Sequence, residues 1–269
     1  MSTEMPIIIE RSNLSLAWAE AFLNVAAPGR AGLRPLVITI GGFLAPLPPE
    51  NEDLRNALDR RLVDLDKNPS DISAMTIFPY KAWVRRRQPP CSEFSSICIN
   101  RMLPRLKKRD RRNQNGTYFE RMMAYTGLRR GAAHTVNQLQ FIIDLLKKDR
   151  RPRESALQIA CFDPAKDHTG QPVRGFPCLQ QVGVSYDDDG NLAISAFYPT
   201  QYIFDRAYGN YLGLCHLGHF LASETNLKFS RLTCFIGKPE LGDVNKSELT
   251  SLVQMAATLV AQSAASVTA

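Results

Sequence analysis

Apolar and polar positions set out most of the elements of this chain. In residues 133–148, Val136, Leu139, Ile142, Ile143 and Leu146 recur every three or four positions, the spacing of one helix face. Similar patterns predict helices over 13–27 (NLSLAWAEAFLNVAA, capped at Ser12 or Asn13 and closed by Pro28-Gly29), 50–65, 208–225 and 247–264. The 208–225 helix is rich in small and apolar residues on every side, so it is expected to be buried. Two stretches, 179–186 and 192–198, alternate instead with period two around Asp-Asp-Asp-Gly-Asn, which predicts a β-hairpin. The β-branched run LVITIGG at 36–42 predicts a strand, as do 157–162 and 232–236. Residues 69–102 are interrupted by Pro79, Pro89 and Pro90 before SEFSSICINRML restarts a helix, and KKRDRRNQN at 107–115 reads as a charged loop. Helices mixed with antiparallel strands, and no internal repeat, predict an α+β fold. The expected organisation is a single domain over 1–269, with a basic, partly irregular region at about 81–115.

Composition narrows the class. Hydrophobic content of 44% and charged content of 22% are ordinary for a soluble globular chain. The apolar run PLVITIGGFLAPLP is too short and too broken by Gly and Pro to span a bilayer, and MSTEMPIIIERS is not a secretory signal, so no membrane partner and a cytoplasmic location are expected. The six cysteines are scattered with no Cys-x-x-Cys pair, which fits reduced thiols and gives no zinc pattern; no metal is expected. His216 and His219, beside Cys215, lack a third ligand and read as core histidines.

Charge is unevenly distributed. Of the net +7, residues 81–153 carry nineteen Lys/Arg against five Asp/Glu, and the rest of the chain is net acidic. Such a block is either a solvated face or a surface for nucleic acid across 81–153.

Candidate chemistry centres on the Pro177-Cys178 step at the mouth of the hairpin. A cysteine there is either a buried small hydrophobe or a nucleophile, and a nucleophile must reach the thiolate form. Three further stretches lie at fixed order around it: TYFER (117–121), VNQLQFIIDLLKKD (136–149) and FDPAKD (162–167); after the hairpin comes IFDRAYGNYLGL (203–214). Taken together these stretches resemble the thymidylate synthase superfamily, especially its archaeal and pyrimidine-hydroxymethylase-like branches. The resemblance implies a twisted, mostly antiparallel sheet flanked by helices, dimerised through the sheet face. It implies Cys178 as the thiolate that adds to C6 of a pyrimidine nucleotide or nucleoside, Asn210 as reader of the ring, and Tyr118 as a wall of the site. Arg153 matches an arginine that reaches across the homodimer to the neighbour's phosphate. The implied one-carbon donor is 5,10-methylenetetrahydrofolate, and the implied activity is a C5 methyl- or hydroxymethyl-transfer. His168 and Glu93 are candidate bases, and Asn210 equally fits the cap of the helix that follows it.

The chain departs from that family where the phosphate and sugar are held. The arginine of its Arg-Ser-x-Asp motif falls on Pro199 and its folate-contacting aspartate on Tyr202. A later His-x-Tyr pair falls on Glu240 and Gly242. Losing a bidentate arginine removes charge-assisted hydrogen bonds of about 1.5–3 kcal/mol each. The expectation is a divergent member that does not make thymidylate, or one that has lost catalysis and survives as a binding or assembly protein.

Overall fold

The computed structural model describes residues 5–27, 35–109, 116–148, 152–168, 170 and 177–267. The chain begins with β1 (Ile7–Arg11), α1 (Leu14–Ala26) and β2 (Leu36–Gly41). Asn13 starts α1, its side-chain oxygen accepting the Leu16 N–H at 3.1 Å, and Asn51 starts α2 (Glu52–Asp64) in the same way through Leu54. Short helices follow, three of them directly after a proline: α3 (Ser70–Ile77), α4 (Tyr80–Arg85) and α5 (Cys91–Ile97). Proline lacks an N–H that the first turn would leave unpaired, so the prolines that interrupt 69–102 also begin helices there. A π-helical turn at Cys98–Met102 leads into α6 (Leu103–Arg109).

The second half contains α7 (Tyr118–Met123), a separate hairpin of β3 (Tyr125–Arg129) and β4 (Ala132–Val136), α8 (Gln138–Leu146), β5 (Gln158–Ala160) and α9 (Pro164–Asp167). The helix expected over 133–148 therefore starts late. Residues up to Val136 are strand, and Asn137 caps α8 by accepting the Gln140 N–H at 3.0 Å. The expected hairpin is β6 (Gln181–Tyr186) with β7 (Asn191–Tyr202). A π-helical turn at Ile203–Ala207 passes into α10 (Tyr208–Thr225), then β8 (Lys228–Glu240) and α11 (Thr250–Val267) close the chain.

Six strands form one mixed sheet in the order β1-β2-β8-β7-β6-β5; the pairs β1/β2 and β7/β8 are parallel and the other three antiparallel. The buried helix α10 is the crossover that makes β7 and β8 parallel. One face of the sheet is core: Leu36, Ile38 and Ile40 of β2 and Leu232, Cys234 and Ile236 of β8 are buried under α1 and α10. Trp18 of α1 donates its indole N–H to the Ile203 carbonyl at 2.8 Å, pinning α1 over the turn that starts α10. Against α3, α10 approaches so closely that a Cβ at Gly213 would lie 2.7 Å from the Ala74 carbonyl oxygen. On the opposite face, register aligns Ile8, Val37, Phe235, Phe197 and Gln181 in a row across five strands. Ile8, Phe197 and Phe235 on that row are exposed, and the two phenylalanine rings stack with centroids 5.8 Å apart.

Candidate active site

Three of the sequence stretches meet in one polar network next to the Cys178 loop. Arg121 of α7 makes a two-point ion pair with Asp167 of α9, at 2.6 and 2.7 Å, and donates to the Cys161 carbonyl at 2.7 Å. Gln138 of α8 donates to the carbonyls of Arg121 and Ala160, both at 2.9 Å, while its own oxygen accepts the Ala160 N–H at 2.8 Å. The Asp163 N–H reaches Asp167 at 2.7 Å. Burial pushes the Asp167 carboxyl up, but Arg121 and the Asp163 N–H outweigh it and hold the group below the ordinary carboxylate range. These residues fix α7, α8, α9 and β5 relative to one another.

Tyr118, the first residue of α7, is placed by this frame. Its helix is capped by Thr117, whose hydroxyl accepts the Glu120 N–H at 3.1 Å. The Tyr118 hydroxyl accepts the N–H groups of Cys178 and Leu179 at 3.1 and 3.3 Å. Both donors precede β6 and have no ladder partner of their own. The phenol is desolvated and stays protonated well above neutral pH, so it can also donate toward the Cys178 sulfur.

Cys178 is exposed, whereas Cys91, Cys98, Cys161, Cys215 and Cys234 are buried. Protein around the sulfur desolvates it and raises the thiol above its ordinary value; Arg206 and the Tyr118 hydroxyl pull the other way but do not win. Among the described residues, the cation that acts on Cys178 is thus Arg206. Arg153, which the resemblance assigns to the neighbouring subunit's phosphate, is exposed at the start of the Glu154–Ala156 turn. Arg206 sits on the π-helical turn before α10. Its neighbour Asp205 is held by Lys67 at 2.9 Å, and among the described residues no carboxylate pairs with Arg206. Sequence reading missed Arg206, because its proximity to Cys178 comes from the fold and not from spacing.

Asn210 lies one turn after Arg206, inside α10 and 5% exposed. The cap position of α10 is Ala207, so the reading of Asn210 as a helix cap is corrected: the π-helical turn supplies the preceding backbone carbonyls. Three further buried residues lie along β7 and α10. Tyr211 donates to Gln201 Oε1 at 2.9 Å, while Gln201 Nε2 and the Tyr198 hydroxyl are buried with no partner among the described residues.

At the divergent positions, Pro199 sits in β7 beyond its last pairing with β6, where a proline is tolerated without a lost ladder bond on that side. Tyr202, at the end of β7, is exposed opposite Glu240, which pairs with Lys238. His168, the candidate base, lies against Phe162 with ring centroids 5.2 Å apart, and the two histidines read as core residues both contact Tyr80. His216 stacks on Tyr80 at 4.2 Å, and His219 Nδ1 is 2.8 Å from the Tyr80 hydroxyl. In the basic block, Lys107 pairs with Glu120 and Lys147 with Glu224, Arg85, Arg86 and Arg87 are exposed at the end of α4, and 110–115 lie outside the described residues. Among the described residues no helix is long and apolar enough to cross a membrane. No protein-family model matches the chain, and no curated protein matches it.

Proposed function

We propose that this protein is a divergent member of the thymidylate synthase superfamily, paired as a homodimer through its open sheet face, in which Cys178 adds to C6 of a pyrimidine nucleotide or nucleoside. The observation that carries the reading is the single exposed thiol, its loop held by the Tyr118 hydroxyl and its pKa drawn down, against desolvation, by Arg206, one turn from the buried amide of Asn210. In the addition, the sulfur forms a bond to C6 and the C5=C6 electron pair moves toward C5 and the O4 carbonyl. The thiol proton leaves for solvent or returns at C5. Arg206 stabilises both the thiolate and the anionic adduct, and the Asn210 amide can pair with the N3–H/O4 edge of the ring. A methylenetetrahydrofolate donor would supply the carbon for a C5 methyl or hydroxymethyl group. The residue that would contact it is Tyr202, an exposed phenol with no carboxylate, so this part of the chain does not fit that group and no step is derived through it.

Brief alkylation read by mass spectrometry tests the proposal. Cys178 reacts first among the six cysteines, and a pyrimidine nucleoside or nucleotide slows its modification. With Pro199 in place of an arginine, deoxyuridine monophosphate needs concentrations above about 100 µM to protect. Equal labelling of Cys178 and the buried cysteines removes the nucleophile. Fast labelling that no pyrimidine slows removes the substrate and leaves the scaffold of a binding or assembly protein.

A further inference from the structure

Away from Cys178, α3 and α4 meet at Phe78-Pro79 and flank a half-open cleft of about 360 Å³, a size that holds small molecules. Its walls are apolar, built by Ile72, Met75, Phe78 and Pro79. One wall carries the Tyr80–His216 stack, centroids 4.2 Å apart and planes 8° apart, so the two rings cover each other and only the outer side of the stack is left to a ligand. Burial lowers the His216 pKa to about 3, so this ring is neutral at physiological pH and adds no charge. The mouth is different. Asp71 is held by Arg55 at 2.6 Å and by Lys81, so one acidic and one basic group of the rim cancel. Arg85 and Arg86 line the same cavity and are exposed, and neither makes an ion pair among the described residues; Arg86 donates only to the Ala82 carbonyl of its own helix.

An apolar slot with an aromatic wall and two uncompensated guanidinium groups at its mouth matches one ligand chemistry. We infer that this cleft binds a small planar aromatic molecule bearing one anionic group, a carboxylate or sulfonate, with the ring against the outer side of the Tyr80–His216 stack and the anion on Arg85 and Arg86. Guanidinium is suited to planar oxyanions because it offers paired donors in one plane. A plain hydrophobic patch would need no cations, and a phosphate-rich polymer would need no apolar slot. The site also accounts for part of the basic block, Arg85 and Arg86, that the Cys178 chemistry leaves unused. It does not depend on the proposed reaction, since none of its lining residues belongs to the Cys178 site.

The probe is 1-anilinonaphthalene-8-sulfonate, an aromatic body with a single anion. Trp83 lies 5.7 Å from Tyr80 by ring centroids, so bound probe should accept energy from it, and binding should saturate at one molecule per chain. Arg85→Glu with Arg86→Glu changes only exposed side chains. It should leave the thermal melt unchanged and weaken the probe at least tenfold, while the uncharged N-phenyl-1-naphthylamine loses little. Met75→Phe, which fills the slot, should weaken both probes. Unsaturable binding, or binding that both variants leave intact, overturns the site. Loss with Met75→Phe but not with the paired charge reversals overturns the anion-binding part and leaves a plain apolar cavity.

Discussion

A thiol is useful to an addition reaction only as thiolate, and Cys178 is held back from it by its own surroundings. Protein packed around the sulfur raises it although the residue keeps an exposed side, and Arg206 and Tyr118 lower it without prevailing. The rate of Cys178 alkylation should therefore keep climbing past pH 9 rather than level off near neutrality. Arg206→Gln should slow it several-fold at pH 7–8, about tenfold for each unit of further rise, with the two proteins converging at high pH. A rate unchanged by the substitution would remove Arg206 from the site. Asp167 behaves in the opposite sense. Its carboxyl is held below the ordinary carboxylate range, so the Arg121 pair stabilises the fold at pH values above that range and the contribution is lost as pH falls through the folded value. Asp167→Asn should cost about 3 kcal/mol at pH 7, since it leaves a half-buried guanidinium unpaired, and the gap to the parent protein should narrow in denaturant titrations as pH falls below the ordinary carboxylate range.

At the scale of elements, α10 is the piece on which the site depends. It carries Asn210, it follows the turn holding Arg206, and it rests on α3 with almost no space between the backbones. Gly213→Ala would push a methyl to 2.7 Å from the Ala74 carbonyl oxygen, so α3 must shift. Loss of about 1–3 kcal/mol in chemical denaturation is expected. An unchanged midpoint would mean that α3 gives way freely. The same helix shows what was legible beforehand. Tyr208–Thr225 could be read from its run of small and apolar residues, and β6 with β7 from strict alternation and the Asp-Gly-Asn turn, because burial on one or all sides leaves a periodic trace. Three things left none. β1 is only five residues long, too short to show a period. β4 precedes α8 without a polar break other than Asn137, so its apolar residues merged with the helical spacing that follows. Prolines in 69–102 break the periodic pattern, yet Pro69, Pro79 and Pro90 also start α3, α4 and α5. Of the site, Cys178, Tyr118 and Asn210 could be named from motif order, and the Tyr118–Cys178 contact follows that order. Arg206 could not, because what distinguishes it is a neighbour twenty-eight positions back in the chain.

For the whole molecule, no layer among the described residues covers one face of the sheet. Its row of Ile8, Val37, Phe235 and Phe197 crosses four strands, and Ile8 is 74%, Phe197 40% and Phe235 44% exposed. Soluble monomers rarely leave so continuous an apolar stripe to water, and stable partners bury stripes of this kind. A second copy suits the stripe, because two such rows of similar residues can face each other across a two-fold axis. Arg153 belongs to the same geometry. It precedes Glu154 and Ser155, which line a shallow hollow on this face together with Phe197 and Phe235, so it lies at the margin a twin would cover. Light scattering at micromolar concentration should give about twice 30.1 kDa. Phe197→Asp with Phe235→Asp should halve that mass without changing the far-ultraviolet circular dichroism, since neither ring is part of the core. If Arg153 serves the neighbouring subunit, the monomer so made should also lose nucleotide protection of Cys178, while its unprotected alkylation rate stays the same. A parent protein that is already monomeric would remove both the paired sheet and the shared role of Arg153. A dimeric parent whose monomeric variant keeps full protection would retain the interface and place each site within one chain.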